Sequence, residues 1–112
     1  MDNLLEETIE VLKNNNKTEE DVLWVGTKEE KATWNNFRAI ADVNYDSGFG
    51  GQEVAEDLII VGKDWWLERH EYDGSEWWEF KSQPKEPDNS IVLKNVIHGS
   101  WSSLKELSNL LE

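Results

Sequence analysis

The stretch 57–81 constrains this chain most, because strand-type residues there are punctuated by two tight-turn signals. Leu58-Ile59-Ile60-Val61 precedes Gly62-Lys63, the run from Trp65 to Tyr72 precedes Asp73-Gly74, and Trp77-Trp78-Glu79-Phe80 follows. Gly-X and Asp-Gly are favoured in two-residue hairpin loops, so the stretch predicts three strands in an antiparallel meander. With two central residues in each turn, Val61 opposes Asp64 and Tyr72 opposes Ser75, and side-chain alternation fixes both faces. One face carries Leu58, Ile60, Trp65, Leu67, Trp78 and Phe80, with Arg69 opposite Trp78, where a guanidinium lies on the indole. This is the expected core face. The other carries Asp57, Ile59, Val61, Trp66, Glu68, His70, Tyr72, Trp77, Glu79 and Lys81, too many charges for an interior without partners.

On the wetter face this register sets Asp57 opposite Glu68 and Glu68 opposite Glu79, three carboxylates in a row between Trp66 and Trp77. Like charges placed directly opposite cost up to about 1 kcal/mol. Such a row is either simply solvated and screened, or it receives a cation: the Lys or Arg of a protein partner, or a metal. A catalytic carboxylate pair, Glu68 with Glu79, is a further reading that no substrate-reading motif supports.

Elsewhere the periodicity alternates between helix and strand. Asn3 and Glu6 fit a helix start, and Leu5, Ile9 and Leu12 mark one face as far as Lys13, where Asn14, Asn15 and Asn16 end it. Residues 22–27 predict a strand. Thr33 caps a short helix with Trp34, Phe37, Ile40 and Ala41 on one face, and a polar, Gly-rich loop covers 42–52. Pro84 and Pro87 mark another loop, 91–97 predicts a further strand, and Ser103 with Glu106 opens a last helix carrying Leu104, Leu107, Leu110 and Leu111. With 112 residues the expectation is one acidic α+β domain over 1–112, an antiparallel sheet of four to five strands with helices packed on one face.

The charge narrows the functional classes. Twenty-four acids against eleven Lys and Arg give a formal charge of -13, which argues against direct binding of nucleic acid or an anionic membrane and for a basic protein partner. Residues 42–80 hold eleven acids against Lys63 and Arg69, so -9 of that charge lies beside the Trp pairs. The absence of cysteine excludes a disulfide scaffold, thiolate zinc, iron–sulfur clusters and a Cys nucleophile. Two histidines, His70 and His98, cannot build a His-rich metal centre, and no motif supports a Ser–His–Asp arrangement. Gly48-Phe49-Gly50-Gly51 lacks the Lys-Ser/Thr that completes a phosphate cradle. No cofactor is expected. The longest wholly apolar run is 58–61, and Glu6, Glu7 and Glu10 stand where a signal peptide needs a basic flank, so the expectation is a cytoplasmic protein.

One metal alternative is specific enough to name. Asp42, Asn44, Asp46 and Glu53 match positions 1, 3, 5 and 12 of a calcium-binding loop, although Ser47 stands where the turn needs Gly. The competing reading is an Asx-rich turn leading into a Gly-rich connection.

The segment Trp65-Trp66-Leu67-Glu68-Arg69-His70-Glu71-Tyr72-Asp73-Gly74-Ser75-Glu76-Trp77-Trp78, with Tyr45-Asp46-Ser47-Gly48-Phe49-Gly50 before it, resembles small acidic proteins of phages and mobile elements of Gram-positive bacteria. That group includes anti-CRISPR and antirestriction inhibitors. The resemblance implies a non-enzymatic inhibitor acting in the host cytoplasm on the nucleic-acid-binding surface of a defence nuclease. Carboxylates beside indoles suit such a DNA mimic, since they meet groove Lys and Arg and fill base-stacking sites. The candidate contact residues are Asp57, Trp66, Glu68, Glu71, Asp73, Glu76, Trp77 and Glu79. An immunity protein against a toxin nuclease would use the same electrostatics, and the 42–53 calcium loop is the alternative of another class.

Overall fold

Strand pairing in the computed structural model gives the expected meander, with one of its two turns as read from the sequence and the other displaced. It describes residues 2–48, 50–97 and 100–110; Phe49, His98 and Leu111, named above, lie outside the described residues. Seven strands and three helices occur among them: β1 (Asp2–Asn3), α1 (Leu4–Asn14), β2 (Trp24–Gly26), β3 (Lys31–Ala32), α2 (Trp34–Ala41), β4 (Asn44–Tyr45), β5 (Ile59–Val61), β6 (Trp65–Tyr72), β7 (Ser75–Ser82) and α3 (Leu104–Leu110). The main sheet is five-stranded, in the order β3-β2-β5-β6-β7 with antiparallel neighbours, and β1 pairs with β4 in a separate two-stranded ladder. This is an α+β fold.

The β6–β7 hairpin has the expected register, with Tyr72 opposite Ser75, Arg69 opposite Trp78 and Glu68 opposite Glu79. Asp73 (φ 49°) and Gly74 (φ 86°) both take positive φ, as this hairpin turn requires. The β5–β6 turn is a correction. Its centre is Lys63-Asp64, with Asp64 at φ 64° and the Gly62 N–H donating to the Trp65 carbonyl at 2.9 Å. Val61 therefore opposes Trp66, and Ile59 opposes Glu68. Gly62 sits against the Trp65 indole so closely that a Cβ would come within 2.0 Å of it. The slip is two residues along β6, an even number, so every side chain keeps its predicted face while its opposite number changes.

The core is built on that face. Ile60, Trp65, Leu67 and Trp78 are buried with Leu4, Leu5 and Leu12 of α1, Phe37 and Ala41 of α2, and Val25 of β2; Leu58 and Phe80 pack at its margin. Asn3 caps α1 by accepting the Glu6 N–H at 3.0 Å, and Asn16 takes the left-handed conformation (φ 60°) just beyond its end. Thr33 caps α2 by accepting the Asn36 N–H at 3.0 Å. Inside the core the Trp78 indole N–H donates to the Thr8 hydroxyl at 2.8 Å, which in turn donates to the Leu4 carbonyl at 2.7 Å.

Two further expectations fail. Ile40 is 71% exposed: Trp34, Phe37 and Ala41 define the inward stripe, and at 100° per residue Ile40 points about 90° away from its centre. Residues 91–97 form no strand, although α3 follows as expected with Ser103 accepting the Glu106 N–H at 3.2 Å. Pro84 and Pro87 in the preceding linker each fix φ and hold the residue before them extended, which opposes a tight return to β7. Among the described residues no helix is long and apolar enough to cross a membrane.

Candidate functional site

The wetter face of the sheet carries a connected polar chain. The Trp66 indole N–H donates to Glu68 Oε1 at 2.7 Å, and the His70 ring meets Glu68 Oε2 through Nε2 and Glu79 Oε2 through Nδ1, both at 2.8 Å. Lys81 Nζ lies 3.5 Å from the other Glu79 oxygen. The expected repulsion between Glu68 and Glu79 is thus relieved from within the chain, by a histidine diagonal to one and two residues from the other. Carboxylates only accept, so a ring nitrogen bonds to either one only by donating its N–H. The Trp66 hydrogen bond, followed by that from His70, holds the Glu68 carboxyl below the usual carboxylate range. Asp57 is not part of this row: it lies in a turn before β5, and Ile59 takes the place opposite Glu68.

Beside this chain the sheet forms the floor of an open groove of about 790 Å3. It is lined by Ile59, Val61, Trp66, Glu68 and Arg69 of the sheet, by Glu56 and Asp57 before β5, and by Thr27, Lys28, Glu29 and Glu30 of the β2–β3 turn. The Thr27 hydroxyl accepts the N–H groups of Glu29 and Glu30 at 3.2 Å each, and the Thr27 N–H closes the turn on the Glu30 carbonyl at 2.9 Å. Pairing of Gly26 with Ile59 brings this turn beside residues thirty positions away. The lining therefore combines five carboxylates and Lys28 with an indole and two aliphatic side chains, together with Arg69, whose side chain is fully buried. Such a lining suits a long cationic side chain, whose stem lies on apolar surface while its head meets acids and a ring face.

Of the eight candidate contact residues, Asp57, Trp66 and Glu68 meet in this groove, and Glu79 joins them through His70. Glu71 and Asp73 are exposed at the hairpin tip, and Trp77 is 36% exposed. Glu76 is a correction. Its side chain is 2% exposed and lies on the core side, 2.8 Å from Arg69 Nη2, while accepting the backbone N–H groups of Glu53 and Val54 at 2.6 and 3.1 Å. Alternation places residue 76 on the same side as Trp78, so its charge serves the fold rather than the surface.

Arg69 is the centre of that buried arrangement. Its guanidinium also reaches Glu7 Oε1 at 3.1 Å and the Tyr45 hydroxyl at 3.1 Å, and it lies 4.7 Å from the Trp78 ring. Burial opposes the charge, but the bonds to Tyr45 and Glu76 outweigh it and raise the guanidinium above its ordinary range. Tyr45 donates its hydroxyl to Glu7; burial and then that bond push its pKa up to about 12.

Asp42, Asp46 and Glu53 are not grouped as the calcium-loop reading requires. Asn44 belongs to β4, Asp42 Oδ1 accepts from the Asn3 amide at 2.8 Å, and Asp46 Oδ1 accepts the Gly48 N–H at 3.1 Å. Glu53 is exposed, its backbone tied to Glu76. Among the described residues no three His, Cys, Asp or Glu side chains are grouped to hold a metal ion. Sequence reasoning missed Glu29, Glu30 and Glu56 as site residues; the signal was the Thr-Lys-Glu-Glu-Lys run after β2, which reads as a hairpin turn. No family model matches this chain, and no curated protein or solved structure matches it.

Proposed function

We propose that this chain is a non-enzymatic acidic inhibitor that occupies the nucleic-acid-binding surface of a host-defence nuclease. The observation that carries this reading is the groove: five carboxylates, from Glu29, Glu30, Glu56, Asp57 and Glu68, arranged around the partly exposed Trp66 indole. A nucleic-acid groove presents the complement, Lys and Arg for phosphates and flat sites for bases. The -13 net charge supports fast, salt-sensitive encounter with such a surface.

The test is competition. A candidate nuclease bound to immobilised protein should be displaced by its own nucleic acid, and cleavage should fall as the protein is titrated in. Replacing Glu56 and Asp57 by their amides should slow association and flatten the salt dependence, whereas Trp66→Ala should weaken binding by about 2 kcal/mol, as anchor residues do. A nuclease that holds its full nucleic acid and this protein together would sink the reading.

A further inference from the structure

Among the described residues the sheet has one long open edge, and the same chain carries a strand-type segment that no sheet receives. In the β6–β7 hairpin, Tyr72 and Ser75 flank the turn, so the backbone of Ser75, Trp77, Glu79 and Lys81 bonds inward and that of Glu76, Trp78, Phe80 and Ser82 faces out. The carbonyl of Ser47 takes the outward N–H of Glu76. Beyond it, Trp78, Phe80 and Ser82 offer an edge for another strand.

In residues 91–97, Ile91, Val92, Leu93, Val96 and Ile97 are 60–81% exposed and outside any strand. Clustered exposure of this kind on a folded chain marks an interaction surface. The linker 83–90 contains Pro84 and Pro87; extended, its eight residues span about 25 Å, enough to carry the segment away from its own edge. The radius of gyration is 18.7 Å, against roughly 13 Å for a compact chain of this size.

We propose that the protein forms a two-fold dimer in which residues 91–97 of each copy add as a sixth strand to the β7 edge of the other. A second copy is the occupant because the strand and the edge it lacks are both on this chain, which is the self-complementarity a two-fold interface needs. The area is of the right order: ten aliphatic side chains, 60–81% exposed, each half-covered by the partner and matched by an equal area of the receiving edge, give on the order of 1,200 Å2, the lower end of stable interfaces. Charge permits the exchange, since residues 83–112 carry three Lys against four acids while residues 1–82 carry -12. The arriving strand is close to neutral where the two bodies repel. The groove lies toward the β3 end of the sheet and stays open in such a dimer.

Sedimentation equilibrium of the full chain and of the single variants Val92→Pro and Leu93→Pro, with hydrogen exchange on the β7 amides, tests this. The wild type should sediment at twice 13.0 kDa, with Kd below about 10 μM and tighter association at high salt, and with protected Trp78 and Phe80 amides. Residues 92 and 93 are adjacent, so in an added strand the N–H of one of them faces β7, and the proline that removes it should yield a monomer with an unchanged melting temperature at low concentration and rapid exchange at those two amides. A wild type still monomeric at about 100 μM, or a dimer that survives both prolines, would overturn the proposal. A monomer whose edge amides are protected until the proline is introduced would also overturn it, by showing that the segment covers its own edge.

Discussion

The two faces of the β6–β7 hairpin each hold a nitrogen-bearing side chain between two carboxylates, the Arg69 guanidinium between Glu7 and Glu76 on one side, the His70 ring between Glu68 and Glu79 on the other. They differ in water. The Arg69 side chain is fully buried, so its charge is obligatory and each partner is needed to offset desolvation. The His70 group is about one-third exposed, so solvent screens it and its members can exchange internal partners for external ones. The same motif therefore works as a structural clamp on one face and as an adaptable surface on the other.

The largest expected effect breaks the buried side of this comparison. Arg69→Ala leaves Glu7 and Glu76 without their cation and should cost about 3–5 kcal/mol in urea unfolding. Trp78→Ala, which removes the ring beside Arg69 and the N–H that Thr8 accepts, should cost about the same, 3–5 kcal/mol. Trp66→Ala, on the other face, should cost far less stability.

Alkaline titration sharpens the contrast. The folded pKa of Tyr45 is raised to about 12, above its unfolded value near 10, so the stability it confers is full below pH ~10 and is lost as pH rises toward 12. Tyr45→Phe should flatten the stability profile across that window. On the wet face the sign reverses: the Glu68 pKa is lowered, so its contribution is present above the unfolded carboxylate value near 4.3 and is lost on acidification below it. Glu68→Gln should flatten that acid limb.

The smallest effect is the most diagnostic for function. Replacing both Glu68 and Glu79 by Gln should change stability by less than about 1 kcal/mol, because the group is partly exposed and screened and the Gln carbonyl oxygens still accept from His70. The same variant should lose affinity for a basic partner, chiefly through slower association. A stability loss matching that of Arg69→Ala would mean that the wet face is structural too.

Sequence and structure agree where information is local. Asp73-Gly74 names its turn because few residue pairs accept positive φ twice in succession, and Asn3, Asn16 and Thr33 mark helix ends through local geometry that spans a few residues. Alternation then sorts Trp65 and Trp78 from Trp66 and Trp77 without any knowledge of packing. Gly62 reads as a turn centre because its neighbours look like a turn, but its missing Cβ serves the Trp65 indole instead. That choice depends on how a large ring packs, which the turn pair alone does not encode.

The sequence by itself determined the period of the sheet, its core face, the helix caps and the excess of acid, all properties of neighbours along one chain. Tertiary structure decided which acids matter together. Pairing of β2 with β5 brought Glu29 and Glu30 to Asp57, and burial turned Glu76 from a surface charge into the partner of Arg69. A carboxylate's role depends on its distance to other charges and on its access to water, and both are set only when strands distant in sequence come side by side.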